Sequence, residues 1–384
     1  MQSVCEKNNC TGCGACVNIC PVNAVAFEDN PLDGKIAIVS SEKCIDCGMC
    51  YKTCPVNEWP EMQKTKICYA GWSMNNDVRK KSASGGIAAE LYKYYLNKGC
   101  WIAGCEMDEQ FSAKISLRNT GYSFFQNSKY VYSDMGDTFT QIERVLKEKN
   151  EVLFVGLPCQ VSGLRKYLQI KGINTENLLC VDLICHGVIQ AQWLKDYVRS
   201  KEKKTKKKAS HIAFRDYRFG TQNFVLTLGD DEDIFFAAPV NRTDEYQIAY
   251  HRGVAYRNNC YNCFYAQENR TGDITLGDFT GVGTEREFLY EKQKISCVLV
   301  NSKKAFDVLN EMKREGYIFL DERPISEEYN REQRLHTPTP VPSERKRFLM
   351  NISRGKSFGS AIRSSMKLRM IKNEIKAVFA IRGN

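Results

Sequence analysis

Residues 10–21 read CTGCGACVNICP, and residues 44–55 read CIDCGMCYKTCP. Both stretches follow the pattern C-x2-C-x2-C-x3-C-P, in which three cysteines are spaced two residues apart and a fourth precedes a proline. Each copy contains glycine, which lets the backbone turn tightly enough for neighbouring thiols to converge. The two copies predict a pair of metal-binding loops in the first 60 residues of the chain.

The spacing is the one by which bacterial two-cluster ferredoxins hold 4Fe-4S clusters, and in such pairs the fourth cysteine of each copy ligates the other cluster. Zinc or disulfide bonds are the alternatives, but zinc sites usually use pairs of cysteines rather than triplets. We therefore predict a bacterial-type 2x4Fe-4S ferredoxin domain over residues 1–60, which serves electron transfer. Its expected ligands are Cys10, Cys13, Cys16 and Cys54 for one cluster, and Cys44, Cys47, Cys50 and Cys20 for the other.

The bulk composition is that of a globular protein of about two to three domains, since 43% of the 384 residues are hydrophobic and 26% are charged. Eighteen cysteines would suggest a disulfide scaffold in a small secreted protein. Here eight of them lie in the two motifs, and Met1–Val4 lacks a basic and apolar leader. We therefore expect a reducing, cytoplasmic location. No apolar run long enough for a membrane-spanning helix is present.

The positive charge is concentrated at the C-terminus. Residues 341–384 carry eleven Lys and Arg against two Glu, a net charge of +9 out of the +10 of the whole chain. The sequence therefore predicts a basic helical tail over residues 340–384 and gives no reason to expect a nucleic-acid partner. Either this tail packs on its own domain with a solvated basic face, or it contacts an acidic partner or a peripheral membrane surface.

A serine- and glycine-rich turn, Ser84-Gly85-Gly86, precedes a helical pattern that begins at Ile87. Free backbone N–H groups and the positive end of a helix make such a turn a candidate anion site. A serine at a helix start is more often only a cap, so the motif alone leaves both interpretations open.

The middle of the chain alternates strands and helices. Apolar runs at 151–156 and 178–184 predict buried strands, and they are followed by Cys159 and Cys185. Ligands of open α/β sheets collect at the carboxyl ends of strands, so the two cysteines are expected near a ligand. Cys260 and Cys263 form a C-x2-C turn further on. The four cysteines are candidates for a third cluster, with packing, a zinc half-site or a redox pair as alternatives.

Together these motifs resemble the coenzyme F420 hydrogenase/dehydrogenase beta-subunit family, in forms with an N-terminal two-cluster ferredoxin domain. The resemblance covers about residues 1–320, and the order of the motifs matches as well as their content. The motifs that carry it are Ser84-Gly85-Gly86, Ser128-Lys129-Tyr130, Gly156-Leu157-Pro158-Cys159-Gln160, Cys185-His186-Gly187, Cys260 to Cys263 and Gly272 to Phe279.

The resemblance implies a mixed α+β catalytic domain of the α/β class, with a flavin-binding part over residues 68–155 and a part with an inner 4Fe-4S cluster over residues 156–325. It also implies site residues. Ser84, Gly85 and Gly86 would bind the phosphates of FAD, Ser128, Lys129 and Tyr130 would lie near the flavin ring, and Cys159, Cys185, Cys260 and Cys263 would hold the inner cluster.

The implied activity is that of an oxidoreductase. Electrons would pass between the ferredoxin-type clusters and FAD, and the flavin would exchange a hydride with coenzyme F420 or another small molecule. A ferredoxin or another redox protein is the expected electron partner. The alternative function is an electron-transfer subunit with no substrate of its own, which feeds another enzyme.

Overall fold

The computed structural model describes residues 3–230, 233–240 and 242–382, with side chains described up to residue 376. Within these ranges the helices are α1 (Ala15–Ile19), α2 (Met49–Thr53), α3 (Asn76–Lys81), α4 (Ile87–Asn97), α5 (Thr138–Lys147), α6 (Pro158–Lys171), α7 (Ala191–Thr205), α8 (Glu245–His251), α9 (Lys303–Arg314), α10 (Ile325–Tyr329), α11 (Arg345–Ser353) and α12 (Phe358–Arg382). The strands are β1 (Val25–Asn30), β2 (Gly34–Val39), β3 (Ile67–Ser73), β4 (Trp101–Met107), β5 (Ala113–Arg118), β6 (Ser133–Asp134), β7 (Val152–Gly156), β8 (Leu178–Leu183), β9 (His211–Ala213), β10 (Leu226–Gly229), β11 (Ile234–Ala238), β12 (Ile274–Asp278), β13 (Ser296–Val300) and β14 (Ile318–Arg323).

A mixed nine-stranded sheet forms the centre of the fold, in the order β14-β3-β13-β12-β8-β7-β4-β5-β6. Strands β12, β8, β7 and β4 run parallel to one another, and antiparallel neighbours flank them on both sides. Since the carboxyl ends of the parallel strands meet at one edge, this edge is the expected ligand-binding side of the sheet. The sheet confirms the predicted α/β, mixed α+β class.

Helices cover both faces of this sheet, and alternate residues of each strand face opposite layers. In β7, Val152 and Phe154 pack with α5 and α6, whereas Leu153 and Val155 pack with α4 and α9. Burial on both faces explains why the strand is a continuous apolar run. Helix α6 begins directly after β7 and so brings its first turn to the ligand-binding edge.

The N-terminal module consists of α1, α2 and the hairpin β1-β2, with Val25 opposite Val39. Helices α1 and α2 both contact α6 of the main domain. The buried side chains of Ala15, Ile19 and Val25 belong to the same hydrophobic core as α5 and α6. A continuous core therefore holds the module against the sheet.

A smaller antiparallel sheet, in the order β11-β10-β9, lies beside the main one. With α7, α8, α11 and the start of α12 it encloses a core rich in aromatic side chains, among them Trp193, Tyr197, Tyr246, Phe348 and Phe358. Within the described ranges, none of the helices combines the length and the apolar character that crossing a bilayer requires.

Candidate redox centres

A cavity, here called cavity I, lies between the N-terminal module and the main domain. Gly12 and Gly14, on the loop that leads into α1, have φ angles of 69° and 81°, which few residues other than glycine adopt. The loop can therefore curve and present several thiols to one space. The thiols that line cavity I are Cys5, Cys10, Cys13, Cys16 and Cys54.

A second cavity, cavity II, has the same construction in more open surroundings. Gly48 precedes α2 with a φ of 72°, and no atom of a distant residue lies within 4 Å of the position that a Cβ would take there. Cys47 is exposed to solvent. The thiols that line cavity II are Cys20, Cys44, Cys47 and Cys50.

The two cavities contain the combinations of cysteines that the crossed-ligand motif predicts, with Cys54 beside the first triplet and Cys20 beside the second. Among the described residues, no three Cys, His, Asp or Glu side chains converge as one metal ion would require. A 4Fe-4S cube places its thiolates around a larger volume, because each ligates a different iron. The thiols of both cavities therefore fit a cube.

Cys5 is an additional thiol in cavity I, and it belongs to neither motif. It lies in hydrogen-bond contact with the thiols of Cys10 and Cys54. This contact is the main reason why the pKa of Cys10 is lowered to about 6. Burial instead raises the pKa of Cys13 to about 12. Sequence reasoning assigned no role to Cys5 because its spacing from Cys10 matches no ligand pattern.

A third group of cysteines lies at the carboxyl ends of β7 and β8. Cys159 is in the first turn of α6 and Cys185 follows β8, while Cys260 and Cys263 come from the short 3-10 helix Asn258–Asn262 and its end. Burial raises the pKa of the Cys159 thiol well above its usual value, and the other three thiols are near enough to raise it further. The structure brings these four cysteines together at one place.

Cavity I and the third cysteine group are neighbours across the start of α6. The thiol of Cys13 is among those that raise the pKa of Cys159. A Cβ on Gly163 of α6 would lie 2.9 Å from Cys13 Sγ, so the helix approaches cavity I this closely because it has glycine there. Tyr265 is buried beside both groups, near the thiols of Cys159 and Cys13.

Arg257, which is 1% exposed, connects the module to the main domain. Its guanidinium donates to the carbonyl oxygens of Cys10, Thr11 and Lys35, at 3.1, 3.0 and 2.6 Å. Its positive charge also acts to lower the pKa of the thiols of Cys10 and Cys260. A buried cation therefore lies near both cavity I and the third cysteine group.

Arg270 is equally buried, but a carboxylate balances its charge. Its guanidinium lies 3.5 Å from the carboxylate of Asp182, which also accepts hydrogen bonds from the backbone N–H groups of Thr271 and Gly272. Arg270 also donates to the carbonyl oxygen of Tyr265 at 3.0 Å. The pair fixes the segment that follows Cys263.

The Ser84-Gly85-Gly86 turn opens α4, and Gly86 is the N-cap residue with a φ of 91°. Gly85 packs directly on β3, where a Cβ would collide with the carbonyl oxygen of Gly71. The hydroxyl of Ser84 donates to the carbonyl oxygen of Ile295 at 2.7 Å. The structure thus gives Ser84 and Gly85 packing roles of their own beside the predicted role in binding.

Basic side chains surround this turn. The ammonium of Lys294 donates to the carbonyl oxygens of Lys80 and Ser82, at 2.9 and 2.6 Å. Arg79 in turn donates to the carbonyl oxygen of Lys294 at 3.1 Å. Burial, followed by the nearby charge of Arg215, lowers the pKa of Lys294 to about 8. Crowded cations beside a helix N-terminus form a site suited to an anion.

Arg215 and Asp278 connect this basic cluster to Tyr130. They form an ion pair of 2.7 Å, with Asp278 at the carboxyl end of β12. Tyr130 is hydrogen-bonded to Ser128 and Arg215, and its ring stacks on that of Tyr250 with centroids 4.2 Å apart. Burial raises the pKa of Tyr130 to about 12. Ser128 and Tyr130 therefore belong to one polar region with the turn before α4.

Lys129 is used differently from its two neighbours. Its ammonium donates to the carbonyl oxygens of Gln126 and Asn127, at 2.6 and 3.2 Å, and so closes its own loop. Sequence reasoning missed the basic residues around the turn, as well as Arg257 and Arg270, because single cations in loops carry no motif. Asp278 was included only as part of the motif at 272–279.

Comparison with known proteins gives two family matches. Residues 149–325 match the family described as the C terminus of the beta subunit of coenzyme F420 hydrogenase/dehydrogenase. Residues 9–58 match the 4Fe-4S dicluster domain, so the N-terminal module binds two 4Fe-4S clusters. No curated protein matches the chain.

Among solved structures, one chain from the F420-reducing [NiFe] hydrogenase complex of Methanosarcina barkeri, studied by xenon derivatization, aligns with this chain. The alignment covers 83% of this chain and 92% of that chain, at 17% identity and a TM-score of 0.47. A likeness at this level carries no argument about function.

Proposed function

We propose that the chain, which belongs through residues 149–325 to the coenzyme F420 hydrogenase/dehydrogenase beta-subunit family and has a 4Fe-4S dicluster domain, is an iron–sulfur flavoprotein oxidoreductase. In this proposal it transfers electrons between ferredoxin-type clusters and FAD. It also exchanges a hydride with coenzyme F420 or with another small molecule. The two N-terminal clusters rest on the dicluster domain, whereas the third cluster, FAD and the hydride reaction are the proposed part.

The observation that carries the proposal is the sequence of three cysteine groups from the surface to the sheet edge. Cavity II has an exposed cysteine, cavity I is packed against α6, and the third group follows β7 and β8. The basic region around Lys294 and Arg215 lies at the carboxyl end of β12, next to β8 in the same sheet. Redox groups held in this order would connect a protein partner to a small-molecule site.

The clusters would supply one-electron transfer, and FAD would supply the exchange between single electrons and a hydride. The chain's own contribution is to hold and shield these groups. Cys10, Cys13 and Cys16 are buried, and a water-poor apolar surrounding influences the potential of a metal centre. Arg257 adds positive charge, which favours the more negative, reduced state of a nearby cluster.

For FAD, the basic cluster and the turn before α4 would bind the phosphates. Lys294 and Arg215 supply charge, and the helix N-terminus supplies N–H groups. Ser128 and Tyr130 would lie nearer the flavin ring, since they are connected to Arg215. Lys129 would act only by shaping its loop, because its ammonium is engaged there.

The proposed partners are a ferredoxin or another redox protein at cavity II and a small hydride donor or acceptor at the flavin. The cysteine-rich centres require a reducing compartment, so we place the protein in the cytoplasm. Its membership of a family of hydrogenase and dehydrogenase subunits is consistent with protein partners.

The direct test is to purify the protein under anaerobic conditions and to mix it with reduced coenzyme F420, with NADH, or with reduced ferredoxin. We expect one of the hydride donors to bleach a bound flavin and to reduce the clusters. Bleaching by reduced ferredoxin alone would favour the alternative, an electron-transfer subunit that feeds another enzyme. Protein without flavin after gentle purification and FAD addition would contradict the proposal.

The flavin site is tested separately by Lys294→Gln. Loss of this charge should weaken FAD binding about tenfold, because a charge-assisted hydrogen bond contributes roughly 1.5 kcal/mol or more. Lys292→Gln, in the same loop, is the matched control and should retain FAD. Equal FAD affinity in both variants would place the phosphates elsewhere. Gly85→Val is unsuitable, because its side chain would collide with β3 whether or not FAD binds.

A further inference from the structure

Helix α12 changes character along its length. Its first half is anchored in the small-sheet core, whereas Leu368, Ile371 and Ile375 in its second half are 83%, 47% and 51% exposed. Their spacing of three and four residues puts these aliphatic side chains on one side of the helix. The buried residues of the first half are Phe358, Ala361, Ile362 and Met366.

Basic residues flank this exposed stripe on both sides. With about 3.6 residues per turn, Lys372 and Lys376 lie along one side of the stripe and Lys367 lies along the other. All three are exposed. The acidic residue of this part of the helix, Glu374, accepts a hydrogen bond from Thr243 at 2.9 Å and so faces the protein body. The outward face of this half is therefore apolar in the middle and positive at its edges.

We propose that this face, the residues 367–376 of α12, binds an anionic lipid surface. A helix of this composition lies in the membrane interface, with its aliphatic side chains among the upper parts of the lipid chains and its lysines near the phosphates. An acidic protein would match the charge, but lysine is depleted in protein–protein interfaces. The inference is independent of the proposed redox function, since it rests on the helix alone.

The test uses the full chain in vesicle co-sedimentation. We expect binding to phosphatidylcholine vesicles that contain phosphatidylglycerol, no binding to pure phosphatidylcholine vesicles, and weaker binding as salt is raised. Lys372→Gln/Lys376→Gln should lower the partition coefficient about 30-fold, because each basic residue contributes roughly 1 kcal/mol near an anionic surface. Leu368→Ser/Ile371→Ser should also weaken binding.

A matched control separates this surface from general charge. Lys203→Gln/Lys204→Gln removes the same two charges from an exposed part of α7 and should leave vesicle binding unchanged. Iron content and circular dichroism verify that each variant is folded. Equal losses from the two lysine pairs would overturn the proposal. So would failure of the unmodified protein to bind anionic vesicles, including the case in which α12 binds an acidic redox protein instead.

Discussion

Cavities I and II are built from the same twelve-residue motif, yet their surroundings differ. In the loop of cavity I, a Cβ on Gly12 would lie 2.5 Å from Nη1 of Arg257 and 2.9 Å from the ring of Tyr132. In the loop of cavity II, Gly48 has a similar φ but no distant neighbour within 4 Å. The motif thus specifies the cysteines, whereas the rest of the chain determines which cavity is enclosed.

The difference assigns a direction to the module. Cavity II carries the exposed side chains of Val22 and Ile45 at its lining, which makes it the side where a redox partner would approach. Cavity I has the buried Arg257 and the third cysteine group as neighbours. We therefore expect substitutions at equivalent positions of the two motifs to have unequal consequences.

The largest effect is expected from Cys16→Ser and Cys47→Ser. Each should remove one cluster, about four irons per chain. With Cys47→Ser, a hydride donor should still reduce the cluster in cavity I. With Cys16→Ser, the same donor should no longer reduce the cluster in cavity II, because the intermediate cluster is missing. Electron paramagnetic resonance of samples frozen after mixing distinguishes the two; reduction of cavity II in both variants would remove cavity I from the path.

Arg257→Met should be the next most damaging change. It leaves three buried carbonyl oxygens without their donor, and we expect a loss of about 3–5 kcal/mol in the free energy of unfolding, the range for breaking a buried charged network. In protein that remains folded, the cluster of cavity I should become harder to reduce, while that of cavity II keeps its midpoint potential. Redox titration followed by paramagnetic resonance gives both values. A parallel shift in both clusters would mean that the module as a whole is disturbed.

A smaller, matched pair is Gly12→Ala and Gly48→Ala. Both place alanine in a left-handed conformation, which costs about 1–2 kcal/mol per residue. Gly12→Ala should cost roughly 1–3 kcal/mol more, because the methyl group meets Arg257 and Tyr132 in a packed interface. Denaturant unfolding of the two variants measures the difference. Equal stabilities would show that the interface around cavity I yields without cost.

The smallest effect is expected from Cys5→Ala. Cys5 contacts the thiols of Cys10 and Cys54 but lies outside the motif. The iron content should therefore stay unchanged, and only the paramagnetic signal of the cavity I cluster should alter as a hydrogen-bond partner is lost. A loss of about four irons would instead make Cys5 a ligand.

Regular elements were predictable where the apolar pattern was clear. The strands expected at 101–107 and 296–300 are β4 and β13 with those bounds, and the helix expected at 137–149 is α5 over a slightly shorter range. These segments alternate or repeat in a way that burial enforces. The pairing order of the sheet was not predictable, because β13 returns between β12 and β3 through antiparallel contacts that no local pattern specifies.

The candidate site was predictable in proportion to its motif content. The cysteines of both motifs carry a spacing with a physical cause, and the structure brings them together. Arg257 and Lys294 carry none, since their importance arises from contacts with residues more than 200 positions away. Gly85 shows a further limit: its sequence context suggested contact with a phosphate, whereas its close neighbour in the structure is β3.

The most direct test of the whole account is the content of iron and acid-labile sulfide in anaerobically prepared protein, compared with that of Cys260→Ser. Three clusters predict about twelve irons per chain, falling to about eight in the variant, with the two N-terminal signals retained. About eight irons in the unmodified protein, unchanged by Cys260→Ser, would contradict the third cluster and with it the proposed connection between the ferredoxin-type module and the flavin.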